Sequence, residues 1–289
     1  MQELRNEHVI VRIQEKGAEL VSVQKDGTEY LWTGEKAYWE EHSPVLFPIV
    51  GRLYERKYRL QGQEYVIGLH GFAKEKIFTL IEKSETQALF ELQEDEDSLK
   101  EYPFHFRLRI RYRLEGSCVK VSYQVENRSE ASMYFGLGGH PGFCIPMEEG
   151  LEFSEYHLEF CRPCRPKRVQ FSETCLVTGQ AEEFLLKDGR RLPLRHDLFD
   201  EDAIVLSDTP GEVFLGTEKG TKGIRFFYED FPYLGIWHTT KAEAPFLCLE
   251  PWLTLPGRDG VVEDIAGKED MVCLKERETL QKSWRMELV

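Results

Sequence analysis

From Phe104 to Leu114 the chain alternates without a break. Phe104, Phe106, Leu108, Ile110, Tyr112 and Leu114 are apolar, and His105, Arg107, Arg109, Arg111 and Arg113 stand between them. A two-residue period fits an extended strand, whose successive side chains point to opposite faces. A Gly116-Ser117 turn then leads into Val119, Val121, Tyr123 and Val125. The pattern predicts a long antiparallel hairpin with one face in a core and an arginine-rich face in solvent.

The same period recurs along the chain. It runs through Val9, Val11 and Ile13, then an Asp26-Gly27 hairpin signal, and through Tyr58 and Leu60, whose Gln61-Gly62 turn precedes Tyr65 and Ile67. Short apolar runs follow at Val213–Leu215, Ile224–Tyr228 and Leu234–Trp237, and the chain closes on Leu280, Lys282, Trp284, Met286 and Leu288. One helix is expected, around Asp95–Tyr102, where the acids of Glu94–Asp97 suit the positive end of a helix dipole. No repeat, low-complexity tract or linker interrupts the pattern. The Pro/Gly-rich stretch near Pro251–Gly260 reads as a loop inside one unit. The expectation is an all-β fold, a large sandwich or barrel forming a single domain over residues 1–289.

At 289 residues and 41% hydrophobic, the chain has enough apolar surface for a sizeable core. A net charge of −14 opposes binding to nucleic acid and to anionic membranes. The N-terminus does not read as a signal peptide, and no apolar run approaches a membrane span. Seven scattered cysteines fit reduced thiols. A cytoplasmic protein is expected, and the oligomeric state is left open.

Three residues stand in distinctive settings: His70 in Leu69-His70-Gly71-Phe72, His140 in Gly138-Gly139-His140-Pro141-Gly142-Phe143, and Glu250 in Leu249-Glu250-Pro251-Trp252. An imidazole and a carboxylate suit general acid–base work. Gly138 and Gly139 let backbone come close to a ligand. The run Phe246–Leu249 reads as a buried strand; a carboxylate at its end needs a partner or a function. Pro251 is expected to end that ladder, and Trp252 offers a flat face of the kind that stacks on a sugar ring. Against these stand ordinary structural roles: a packed histidine, a strand-end ion pair. Arg52, in Gly51-Arg52-Leu53, is either a fork for two neighbouring hydroxyls or a structural ion pair. The Cys161/Cys164 pair lacks the second pair of a zinc site and the βαβ context of a redox motif. No Walker loop, dinucleotide fingerprint, HExxH or GxSxG appears, so kinase, dehydrogenase, zincin and serine-hydrolase classes find no support.

Taken as an ordered set, Gly51-Arg52-Leu53, His70-Gly71-Phe72, Gly139-His140-Pro141-Gly142-Phe143 and Glu250-Pro251-Trp252 resemble the aldose 1-epimerase (galactose mutarotase-like) family, most nearly its LacX-type branch. The resemblance implies a β-supersandwich with its site in the concave face of a large sheet. It implies an isomerase that interconverts the α and β anomers of a hexose with no cofactor; the lone CxxC and the lack of a histidine-carboxylate ligand cluster in the sequence predict that no metal is needed. It assigns the general acid to His140 and the general base to Glu250, with His70, Arg52 and an aspartate holding the ring and its hydroxyls. That aspartate falls in His196–Ala203; Asp202, directly before a strand, is favoured over Asp200. Gly-His-Pro-Gly-Phe differs from the His-x-Tyr-Phe-Asn setting of the better-known galactose mutarotases, which bears on the sugar and not on the chemistry. Ordinary pKa values, about 6.5 for histidine and 4.3 for glutamate, would suit the two roles at neutral pH. The other readings are a hexose-6-phosphate mutarotase, which would draw on the arginine row, and a non-catalytic sugar-binding protein.

Overall fold

The computed structural model describes residues 1–289. Strands hold 46% of them and helices 7%, so the class is all-β. The Phe104–Leu114 alternation forms the strand Phe106–Glu115, paired antiparallel with Cys118–Asn127 so that Ile110 lies opposite Tyr123 and Tyr112 opposite Val121. Phe106, Leu108, Ile110, Tyr112 and Leu114 are buried. The arginines between them face outward and are paired: Arg107 with Glu126, Arg109 with Glu91 at 2.7 Å, Arg111 with Glu82 at 3.2 Å, and Arg113 with Glu115 at 2.9 Å. The expected helix is Glu96–Glu101. Asp95 caps it: its side chain accepts from the Ser98 N–H at 2.7 Å, and its own N–H donates to Ser98 Oγ at 2.9 Å.

This hairpin belongs to a nine-stranded antiparallel sheet. Its order is Arg191–Pro193, His157–Phe160, Glu212–Gly216, Gly223–Phe227, Thr279–Leu288, Cys118–Asn127, Phe106–Glu115, Gln87–Gln93 and Thr79–Lys83. A second sheet of eight strands runs Val177–Glu183, Lys167–Phe171, Ile204–Ser207, Tyr233–Trp237, Phe246–Trp252, Gly138–Gly139 and Val45–Leu46, with Gly142–Cys144 also paired to Phe246–Trp252. A four-stranded N-terminal meander, Gln2–Glu29, joins them. Both large sheets feed one apolar cluster of 64 buried residues, extending in sequence from Leu4 to Leu288.

The strand Phe246–Trp252 is buried along its whole length. Leu247 and Leu249 enter the main core, whereas Cys248 and Trp252 belong to smaller clusters on the other face, which also carries Glu250. Pro251 does not end this strand: it pairs with Leu234, and Trp252 pairs with Tyr233. Leu249 and Leu253 donate to the carbonyls of Pro141 and Leu137 on the neighbouring segment, at 3.1 and 2.9 Å. Pro251 falls between them, beside the gap between Gly138–Gly139 and Gly142–Cys144, so its missing N–H costs little.

The glycines before His140 admit protein, not ligand. A Cβ on Gly139 would lie 2.9 Å from Trp284 Nε1 and 3.0 Å from the Tyr123 hydroxyl, which are hydrogen-bonded to each other at 2.9 Å. Gly139→Ala is expected to cost about 1–3 kcal/mol through overpacking. The reading is a lower denaturant midpoint at unchanged slope; an unaltered midpoint would show that the Trp284–Tyr123 pair yields freely.

Candidate active site

The outer face of the eight-stranded sheet carries a cleft of about 280 Å³. Arg52, His70, His140, Asp202, Glu250 and Trp252 all line it. Asp200 is exposed at the end of a 3₁₀ turn and is not among its walls. The cysteines of the Cys161/Cys164 pair are free and also lie outside it.

Backbone geometry sets each side chain. His140 leaves the ladder directly after Gly138–Gly139, and Glu250 stands on the cleft face of the strand that pairs with Gly138–Gly139. His140 Nε2 and Glu250 Oε2 meet at 3.1 Å, with the residues only 7% and 1% exposed. The Trp252 indole N–H donates to the same Glu250 oxygen at 3.2 Å. Trp252 itself is packed against Leu46, Val50, Val169 and Val205. Most of the flat face expected for stacking is therefore spent on the sheet.

His70 sits at φ +61° and Gly71 at φ +73°, where the chain turns back against Phe47. A Cβ on Gly71 would come within 2.3 Å of the Phe47 carbonyl oxygen, so only glycine fits after His70. The Gly51 N–H donates to His70 Nδ1 at 3.0 Å, which leaves the ring proton of neutral His70 on Nε2. The rings of His70 and His140 lie edge to face, centroids 5.5 Å apart.

Sequence reasoning missed the rest of the wall. Trp39 lies over His140 with centroids 4.8 Å apart, and Trp237 meets it edge-on at 5.6 Å. Lys74, bonded to Glu41 at 2.7 Å, closes another side together with that glutamate. Cys175 donates its thiol proton to Asp202 Oδ2 at 2.7 Å. Of these, only Trp237 carried a usable signal, as the end of an alternating strand.

Burial moves the buried pair away from the ordinary values expected for it. His140 is held down to about 3, chiefly by burial. Glu250 is raised well above its usual 4.5, by burial first and then by the charge of Asp202. Burial also holds His70 well below the usual imidazole value, helped by His140, Lys74 and Arg52. All three groups therefore favour their uncharged forms. His140, Cys248 and Glu250 also bring potential metal-ligating atoms within 4.8 Å of one another. Glu250 Oε2 already accepts from the Trp252 indole and lies 3.1 Å from His140 Nε2, and burial pushes the Cys248 thiol well above its usual pKa.

Residues 1–263 match the family model described as aldose 1-epimerase. The chain is 38% identical over 261 residues to the LacX protein of Lactococcus lactis subsp. lactis, covering 86% of each chain. A galactose mutarotase related enzyme from Lactobacillus acidophilus superposes with a TM-score of 0.95 at 29% identity, over 100% of this chain and 97% of that one. A galactose mutarotase-like protein from Lactobacillus casei superposes with a TM-score of 0.94 at 32% identity, over 100% of both chains. The fold is thus the galactose mutarotase-like β-supersandwich. The chain belongs to the aldose 1-epimerase family, in its LacX-type branch, and is by that membership an isomerase whose substrate is a sugar.

Proposed function

We propose that this chain, as one domain, is a mutarotase that opens and recloses the ring of an unphosphorylated aldohexose, with His140 and Glu250 as its proton carriers. The observation that carries this reading is the direct 3.1 Å contact between the two in a sugar-sized cleft. Ring opening needs a base at the C1 hydroxyl and an acid at the ring oxygen. Closure from the other face needs the same two groups with roles exchanged. A buried pair that shares one proton meets both needs. In this reading its resting form is neutral, with the proton on Glu250, the form toward which burial pushes both groups. Passing that proton to His140 creates the carboxylate base and the imidazolium acid without bringing a net charge into the cleft. Glu250 then takes the C1 hydroxyl proton while His140 protonates the ring oxygen. The aldehyde rotates about C1–C2 and closes by the reverse transfers.

Arg52, His70 through Nε2–H, and the Asp202 carboxylate hold the sugar hydroxyls. Trp39 and Trp237 supply the apolar walls. The outward row of arginines, each ion-paired, supports a neutral sugar over a sugar phosphate. No step requires a cofactor or a metal. Seven free cysteines support a reducing, cytoplasmic setting, and no helix is long and apolar enough to cross a membrane.

Polarimetry on freshly dissolved α-D-glucose and α-D-galactose tests the activity, with the 6-phosphates as comparison. Glu250→Gln and His140→Asn are each expected to lower kcat by at least about 10²-fold. The double variant should lose less than the product of the two, because one step uses both. Near-wild-type turnover in either single variant would remove that residue from the mechanism, and binding without anomer exchange in the wild type would favour a sugar-binding protein.

The acid limb of kcat/KM should fall well below the ordinary histidine value. Activity is expected to hold between about pH 7 and pH 5, where an unshifted imidazole would lose most of its neutral form. Half-loss near 6.5 would contradict the burial-driven shift.

Stability follows the same pair. The unfolded carboxyl ionises near 4.5, whereas folded Glu250 keeps its proton to higher pH. The stabilisation is complete below that value and drains away as pH rises toward the folded pKa. Glu250→Gln cannot ionise, so its Tm relative to wild type should rise from about pH 4.5 to pH 8. A pH-independent difference would argue that Glu250 is ionised in the fold.

A further inference from the structure

Cys175 has no part in the proton transfers, yet it reaches into the cleft and holds Asp202 there. It lies at the tip of the hairpin formed by Lys167–Phe171 and Val177–Glu183. The tip is closed by Ser172 N–H to the Leu176 carbonyl at 2.8 Å and Cys175 N–H to the Ser172 carbonyl at 2.9 Å. Lys167–Phe171 also pairs with Ile204–Ser207, whose approach segment holds Asp202. Cys175 at φ +59° and Asp202 at φ +82° both occupy backbone regions that residues with a Cβ seldom adopt, and their side chains meet at 2.7 Å. His140, which also lines the cleft, has a buried Nδ1 with no hydrogen-bond partner in the protein.

We propose that Cys175 is a positioning residue of the sugar site. Its thiol occupies Asp202 Oδ2 and so fixes the carboxylate with Oδ1 free to accept from a substrate hydroxyl. This rests on the reading of Asp202 as a sugar ligand. An unheld carboxylate at the head of a strand samples several rotamers, and the sugar must then meet the cost of ordering it. The contact also shields the thiol. Burial and the Asp202 bond push Cys175 up to about 11, out of the range where thiolate chemistry is fast.

Two measurements test the assignment. In polarimetry with α-D-glucose and α-D-galactose, Cys175→Ala should raise KM by about 5- to 20-fold and leave kcat within about 2-fold, the signature of lost uniform binding. Cys175→Ser, which keeps a donor, should restore most of the KM. An unchanged KM in Cys175→Ala, or equal losses of kcat in both variants, would overturn the proposal.

The second measurement needs no turnover. Iodoacetamide alkylates Cys175 when the thiolate sulfur forms a bond to the methylene carbon, iodide leaves, and the thiol proton passes to solvent. Followed peptide by peptide, the rate at Cys175 should rise several-fold in Asp202→Asn, while the other cysteines keep theirs. An unchanged rate would show that the thiol and the carboxylate are not engaged. If that rate rises while the wild-type protein turns over no sugar, the contact stands and the mutarotase reading fails.

Discussion

The site depends on placing a carboxyl and an imidazole side by side where little of either meets water. Phe246–Trp252 lies between strands on both sides and uses both its faces: leucines supply the core, and Cys248, Glu250 and Trp252 turn the other way. Alternation carries Glu250 into the cleft at the cost of dehydrating it. Once there, it is held by the His140 ring and the Trp252 indole. Charge on either carrier alone would be expensive in such surroundings. A proton that moves between them leaves the total charge unchanged, so the burial that raises Glu250 and lowers His140 also selects the chemistry the pair can perform.

The cleft walls divide by backbone setting. The carriers sit on paired backbone, on and immediately beside the ladder formed by Phe246–Trp252 and Gly138–Gly139. Arg52, His70, Lys74 and Cys175 come from turns and hairpin tips. In the proposed mechanism the proton carriers thus fall to the sheet and most hydroxyl contacts to the connections, the division expected when reacting atoms need tighter placement than hydroxyl contacts.

Much of this was legible in the sequence, because a two-residue period has one structural meaning. The Phe106–Glu115 hairpin, its buried face and its outward arginines follow from spacing alone. The helix after Glu94 follows instead from its acidic start, and the Asp95–Ser98 capping box emerges only in the fold. The ordered motifs singled out five residues that meet in one cleft, and the resemblance added an aspartate, for which Asp202 is favoured over Asp200 because it directly precedes a strand. Other features needed the fold. Trp39, Lys74 and Cys175 lie on connections without periodicity. Gly138 and Gly139 were read as space for a ligand because sequence cannot show Trp284 and Tyr123 arriving from more distant parts of the chain. The pKa shifts were hidden for the same reason: they are set by what surrounds the pair.

The order of the nine-stranded sheet has a consequence for how this chain comes to exist. Thr279–Leu288 lies between Gly223–Phe227 and Cys118–Asn127, so it joins strands drawn from the earlier and the later parts of the chain. During synthesis each of those partial sheets is made before the strand that links them. Until it arrives, Cys118–Asn127 and Gly223–Phe227 each present an open edge, the kind that recruits strands from other chains. Completion of this sheet is therefore a late, long-range event. Once Gly223–Phe227 has been made, both edges stay unfinished until the strand between them arrives.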